Sequence, residues 1–350
     1  MKNFEFLQPL SAADAVAAWT PDAAYLGGGT NLVDLMKTGA MGPDRVIDIT
    51  RLPDLDRIET TEDGGLRIGA LVRNSDLARD PDLLRAAPMV AEALLAGASG
   101  QLRNAATVGG NLMQHTRCPY FMDADAACNR RVPGSGCDAR GGAWENSAIL
   151  GQSAACIATN PSDFCVPLAA LGALVDVEGP SGGRTVALEA FHKLPGDTPE
   201  AETALEPGEL VVALRLPAEA ASFAGHSRYL KVRERTSYAF ALVSAAAALR
   251  MDGGRITEGR LALGSVAARP WRIAEADALL AGAMPDDALF ARVAERLLEG
   301  AEPSNDTGWK IDLARRTVIR ALQMAAAGTP DRLPPLPASP FGPSEVAVHA

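Results

Sequence analysis

Leu26-Gly27-Gly28-Gly29-Thr30-Asn31-Leu32 places three consecutive glycines between an apolar run and a helical stretch. Missing side chains let an anion approach the backbone, and the N–H groups that open a helix point at it, so this segment suits a phosphate. It is not a Walker loop, because no Gly-Lys-Ser/Thr follows. Leu32 also stands where Gly-x-Gly-x-x-Gly needs its third glycine. A plain tight turn is the competing reading. A second loop, Ala106-Thr107-Val108-Gly109-Gly110-Asn111-Leu112, repeats the chemistry. Two such loops suit a ligand with two phosphates, as a dinucleotide has. A third segment, Asn160-Pro161-Ser162-Asp163, opens a helix, where Ser162 or Asp163 can cap that helix or hold a ribose hydroxyl or phosphate.

The cysteines offer a different chemistry. Cys118, Cys128, Cys137, Cys156 and Cys165 are spaced C-x9-C-x8-C-x18-C-x8-C. An odd number in a chain without a secretion signal favours metal or cluster binding over disulfides. There is no C-x2-C pair, so neither a zinc ribbon nor a ferredoxin pattern is present. Cys165 lies in an apolar helical run and reads as a core thiol, while Cys156 is expected to start an apolar strand. Four thiolates around one centre would be Cys118, Cys128, Cys137 and Cys156; scattered free thiols, or zinc with His115 replacing one thiolate, are the alternatives.

Hydrolytic chemistry finds no support. The four histidines, His115, His192, His226 and His349, form no readable nucleophile–base pattern, and Gly264-Ser265-Val266 does not complete a Gly-x-Ser-x-Gly elbow. Lys231, Arg233 and Arg235 alternate along an expected strand, which would put all three on one face. That face is either solvated or turns Lys231 toward a ring or phosphate. Trp144, Trp271 and Trp309 read as packing residues.

The elements that must position these residues fit 350 residues as two domains of roughly 150 each. A hydrophobic content of 47% supplies the core, and a net charge of −10 disfavours nucleic acid and anionic membrane as partners. Residues 1–10 hold one Lys and no apolar run, so no export signal is expected; the longest apolar stretch, 239–249, is about half the ~20 residues of a spanning helix. The chain is therefore expected in the cytoplasm unless a partner carries it. Strands are expected at 24–26, 46–49, 66–70, 174–178, 185–188 and 210–216, with helices at 31–37, 82–96 and 163–171. The stretch 114–152 lacks periodicity and holds three cysteines, a length of loop that is usually functional. After residue 220 a meander (227–233, 240–250, 255–264) precedes helices at 273–281, 286–299 and 310–326. That block order indicates an α+β domain. The last twenty residues read as an extended, proline-rich tail.

Five ordered segments together resemble the FAD-binding medium subunit of molybdenum hydroxylases, the xanthine dehydrogenase and carbon monoxide dehydrogenase family. They are the 27–32 loop, Gln101-Leu102-Arg103-Asn104 with Thr107-Val108-Gly109-Gly110-Asn111, Pro161-Ser162-Asp163, Pro207-Gly208-Glu209-Leu210 before a strand ending at Pro217, and Lys231-Val232-Arg233. The resemblance covers about residues 3–325. It implies an α+β fold: a vanillyl-alcohol-oxidase-type FAD domain of two subdomains over 1–220, a smaller domain with a three-stranded sheet and helices over 221–330, and a tail over 331–350. By position, Leu26, Gly27, Gly28, Gly29, Thr30, Asn31 and Leu32 would cradle the FAD diphosphate with Thr107, Gly110 and Asn111. Ser162 and Asp163 would hold the ribose and phosphate region, Lys231 would lie near the isoalloxazine, and Val211 beside it.

The 114–152 stretch resembles the insert of a subgroup whose flavin subunit also carries a 4Fe–4S cluster, as in bacterial three-subunit aldehyde oxidoreductases of the periplasmic type. Arg117-Cys118-Pro119-Tyr120-Phe121, Cys128-Asn129-Arg130 and Pro133-Gly134-Ser135-Gly136-Cys137 carry that likeness. It implies a cluster on Cys118, Cys128, Cys137 and Cys156. The 4-hydroxybenzoyl-CoA reductase type carries such an insert too. The implied partners are a large molybdopterin subunit, a small subunit with 2Fe–2S clusters, and an external electron acceptor. Export with a partner bearing a twin-arginine signal is compatible with this set. The tail is expected to lie on the partner subunits.

Overall fold

The computed structural model describes residues 1–331; the expectation for the proline-rich tail lies outside the described residues. Glu5–Leu7, Arg45–Asp48 and Ala23–Leu26 form a parallel sheet with Arg45–Asp48 in the middle. Parallel neighbours require crossovers, and the helices Ala12–Ala17 and Leu32–Thr38 lie in the intervening chain. Ser11 starts the first by accepting the Asp14 N–H at 3.0 Å.

A five-stranded antiparallel sheet follows, in the order Ile58–Thr60, Leu66–Gly69, Leu210–Leu216, Leu174–Gly179, Gly182–Ala187. Its central strand is apolar at nearly every position because both faces are covered. Leu210 and Val212 pack with Ile47 and Leu55 beside the parallel sheet. Val211 and Leu214 face the main core of Phe164, Leu168 and Val90. A strand covered on both faces reads as a continuous apolar run, not an alternation.

The C-terminal sheet is the antiparallel meander Ser227–Val232, Val243–Asp252, Arg255–Gly264. Gly253 and Gly254, both at positive φ (54° and 79°), make its tight turn. Ala245, Ala247 and Leu249 pack under the helices Asp287–Leu297 and Gly308–Ala327. Ala246 and Ala248, on the other face, enter the core of the first domain. One alanine-rich strand thus joins the two cores, its small side chains letting both sides come close.

Three expectations change. The single helix at 82–96 is two, Pro81–Ala86 and Pro88–Ala96, because the residue before a proline is pushed out of the helical region; Ala87 sits at φ −149°, ψ 62°. Cys156 starts no strand and makes only an isolated bridge with Ser153. The Ser227–Val232 strand ends before Arg233 and Arg235, so those two share no strand face with Lys231.

Candidate functional site

The first glycine loop leaves the Ala23–Leu26 strand and lies directly on residues 105–107. A Cβ on Gly28 would stand 2.0 Å from the Ala105 carbonyl oxygen, and one on Gly27 would stand 2.9 Å from Thr107 Oγ1. Gly29 takes φ +73°, a conformation that costs a side chain about 1–2 kcal/mol. The second loop joins helix Gly100–Ala105 to the short helix Val108–Leu112, so it is a helix-to-helix turn, unlike the first loop, which leaves a strand. Thr107 caps it by accepting the Gly110 N–H at 3.1 Å. Ser162 Oγ donates to Asn111 Oδ1 at 2.8 Å and accepts the Cys165 N–H at 3.2 Å, tying the third segment to the second loop while capping its own helix. The loops therefore form one continuous surface.

Beside them lies a cleft of about 1010 Å³, lined by Thr30, Asn31, Gly110, Asn111, Asp163 and Lys231. That volume stands at the upper end of small-molecule sites. Lys231 Nζ meets Asp163 Oδ2 at 2.7 Å and the Ala96 carbonyl at 3.2 Å, with 3% of its side chain exposed. The Tyr229 hydroxyl donates to Asp163 Oδ1 at 2.5 Å, and burial, then the neighbouring Asp163, holds it well above the usual phenol range. Leu26, Gly27, Gly28, Gly29, Leu32, Thr107, Ser162 and Val211 do not line the cleft. The glycines, Thr107 and Ser162 shape the loops from behind, and Val211 is buried in the sheet.

Trp144 and Trp309, expected as packing residues, wall the cleft instead, with Tyr238 and Phe240. Trp271 does pack, its indole donating to the Leu297 carbonyl at 3.0 Å. Buried atoms without partners at the cleft are Asn31 Nδ2, Asn74 Oδ1 and Arg117 Nε. Two donors and an acceptor left unpaired suit a large ligand rich in phosphate oxygens and ring N–H groups, so the residues fit a dinucleotide such as FAD. Arg117 and Asn74 escaped the sequence reading: one was absorbed into a cysteine motif, and the other stands in no motif that marks a site.

Cys118, Cys128, Cys137 and Cys156 line a second, narrow pocket of about 10 Å³, roughly the space of one water. Backbone ties hold its walls. Cys128 and Cys137 face each other in a small antiparallel bridge, and Asn129 Nδ2 reaches the Ala155 carbonyl at 3.0 Å beside Cys156. Burial pushes the Cys118 thiol up to about 12, with Cys128 and Cys156 adding to the effect. The donor set is purely sulfur, suited to a soft metal or an iron–sulfur cluster. Among the described residues no three Cys, His, Asp or Glu side chains converge as tightly as a single ion needs. His115 does not line this pocket: its Nδ1 meets Glu202 Oε1 at 2.9 Å. Cys165 is fully buried in the main core, as expected.

Glu202 also takes Arg130 Nη1 at 2.8 Å. Burial alone would raise its carboxyl, but His115 and Arg130 overcome this and draw it from 4.5 down to about 2. A depressed carboxyl stabilises the fold above its unfolded value and loses that contribution as pH falls through the folded one. About 3 kcal/mol should therefore vanish between pH 4.5 and 2. Acid melts of Glu202→Gln should show a flatter decline over that window; an identical decline would remove Glu202 as the cause.

Residues 2–219 match the family described as the FAD binding domain in molybdopterin dehydrogenase, and residues 228–326 match the CO dehydrogenase flavoprotein C-terminal domain. The aldehyde oxidoreductase FAD-binding subunit PaoB of Escherichia coli is 48% identical over 331 residues, 93% of this chain and 99% of that one. The carbon monoxide dehydrogenase medium chain of Afipia carboxidovorans is 28% identical over 93% of this chain and 97% of its own. Among solved structures, a chain of quinoline 2-oxidoreductase from Pseudomonas putida superposes with TM-score 0.72 at 25% identity, covering 93% of this chain and 99% of that one. A chain of the reconstituted CO dehydrogenase from Oligotropha carboxidovorans gives 0.74 at 26%, covering 94% and 99%. Two family models that together span residues 2–219 and 228–326, and a relative 48% identical over nearly all of both chains, agree with this geometry, and this chain belongs to the FAD-binding subunits of the molybdopterin-dependent dehydrogenases.

Proposed function

We propose that the chain is the flavin subunit of a molybdenum-dependent aldehyde oxidoreductase. The observation that carries this reading is the 48% identity to an aldehyde oxidoreductase FAD-binding subunit over nearly all of both chains. The cleft supports this reading: Thr30, Asn31, Gly110 and Asn111 line it and would hold the diphosphate, Asp163 and Lys231 would stand toward the region beyond it, and Gly27, Gly28, Gly29, Thr107 and Ser162 shape the loops. Bound there, FAD would take up electrons and release them to an external acceptor. The protein's part is to bind and orient the cofactor, and to present a buried Lys231–Asp163–Tyr229 network whose charges are already balanced.

The proposal extends to a 4Fe–4S cluster on Cys118, Cys128, Cys137 and Cys156, supported by the one pocket that all four line and the motifs around them. Because that pocket is narrow, seating a cluster would require its walls to separate. Partner chains would be a large molybdopterin subunit that oxidises the aldehyde and a small 2Fe–2S subunit that relays electrons. The division at about residue 220, with the insert at 114–152, belongs to the same proposal. Among the described residues no helix is long and apolar enough to cross a membrane.

The test is anaerobic mixing of the purified complex with an aromatic aldehyde, and separately with xanthine, while flavin absorption is followed. Bleaching by the aldehyde and not by xanthine is expected. Bleaching by dithionite but by no aldehyde would overturn the substrate class.

A further inference from the structure

Four cations line the cleft: Arg103, Arg117, Lys231 and Arg235. Three are already engaged. Lys231 pairs with Asp163, Arg103 donates to the Gly97 carbonyl at 2.7 Å, and Arg235 Nε donates to the Tyr238 carbonyl at 3.0 Å. Arg117 differs. Among the described residues it forms no salt bridge, its buried Nε has no partner, and its guanidinium stands 5.1 Å from the Phe240 ring centroid. An uncompensated guanidinium half out of water is costly unless an anion meets it.

We propose that Arg117, contributed by the cysteine-bearing insert, is a flavin-positioning residue that receives an anionic group of the dinucleotide. This rests on the FAD reading of the cleft. The anion has two possible sources on one ligand: the diphosphate bridge, or the charge the ring carries when reduced. A guanidinium suits either, since its planar fork holds paired oxygens or a ring edge. The position also makes the insert part of the flavin site, because Arg117 immediately precedes Cys118.

The experiment compares wild type, R117Q and R117M in the purified complex, stripped of flavin and then re-titrated with FAD or riboflavin under fluorescence detection. Midpoint potentials are measured on the reloaded protein. Thermal melts are recorded with and without flavin. Without FAD, both variants should melt above wild type, because a buried unpaired cation is gone. With oxidised FAD the order should reverse if the diphosphate is the partner, and with reduced FAD if the ring is. If the diphosphate is the partner, FAD binds about tenfold more weakly to the variants while riboflavin binding is unchanged. If the reduced ring is the partner, the two-electron potential falls by about 30 mV for each tenfold loss. Unchanged affinity and potential, or variants that melt lower with and without FAD, would overturn the inference. Wild-type protein that takes up no FAD would instead sink the flavin reading itself.

Discussion

Cys128→Ser is expected to remove most of the iron from the purified protein, while Cys165→Ser leaves it in place. The two thiols differ in setting, not in burial. Cys128 is held by its bridge to Cys137, and its N–H donates to Ser135 Oγ at 3.0 Å, so its sulfur lines the same pocket as Cys118, Cys137 and Cys156. Cys165 lies in the helix Cys165–Ala170 among Phe164, Leu168 and Val166, where burial pushes its thiol up to about 12. Loss of a supporting group beyond the ligands already costs roughly 10–100-fold in metal affinity, and loss of a ligand should cost at least that. Iron assay and visible absorption after anaerobic reconstitution read the difference. Equal iron loss from both variants would undo the ligand assignment.

The second large effect is at Gly28. An alanine there would place its Cβ 2.0 Å from the Ala105 carbonyl oxygen and 2.9 Å from Ala106 Cα, and both are backbone atoms that cannot swing aside. The loops must then part, at a cost of about 3 kcal/mol, and the surface proposed to hold the diphosphate breaks up. Gly28→Ala should lower the denaturation midpoint and lose its FAD. Gly100→Ala is the control: nothing lies within 4 Å of its added Cβ, so its effect should stay within about 0.5 kcal/mol. Comparable losses from both would show that loop packing is not what Gly28 protects.

Much of the frame was legible because its signals are local. The apolar run at 210–216, stopped by Pro217, is a strand with those bounds, and the meander turn at Asp252-Gly253-Gly254 sits where the glycines put it. The four pocket cysteines could be grouped because one aperiodic stretch holds three of them. What sequence did not show depends on approach between distant segments. Gly27 and Gly28 are small chiefly because residues 105–107 lie against them, about eighty positions away. Trp144 and Trp309 wall the cleft because Asn305 Nδ2, donating to the Ala139 carbonyl at 2.8 Å, ties the loop before Trp309 to the insert. Lys310 strengthens that tie by donating to Asn146 Oδ1 and the Ser147 carbonyl at 2.6 and 2.9 Å, burial drawing its ammonium down to about 7. No period or motif announces such contacts. The role of Val211 was carried over by position, and its side chain belongs to the sheet core.

The most direct measurement is the amount of FAD released by heat from this polypeptide, isolated gently with its companion chains and counted per copy. One FAD per chain is the expected result. Intact, correctly assembled protein that releases none would contradict the assignment of the cleft and everything built upon it.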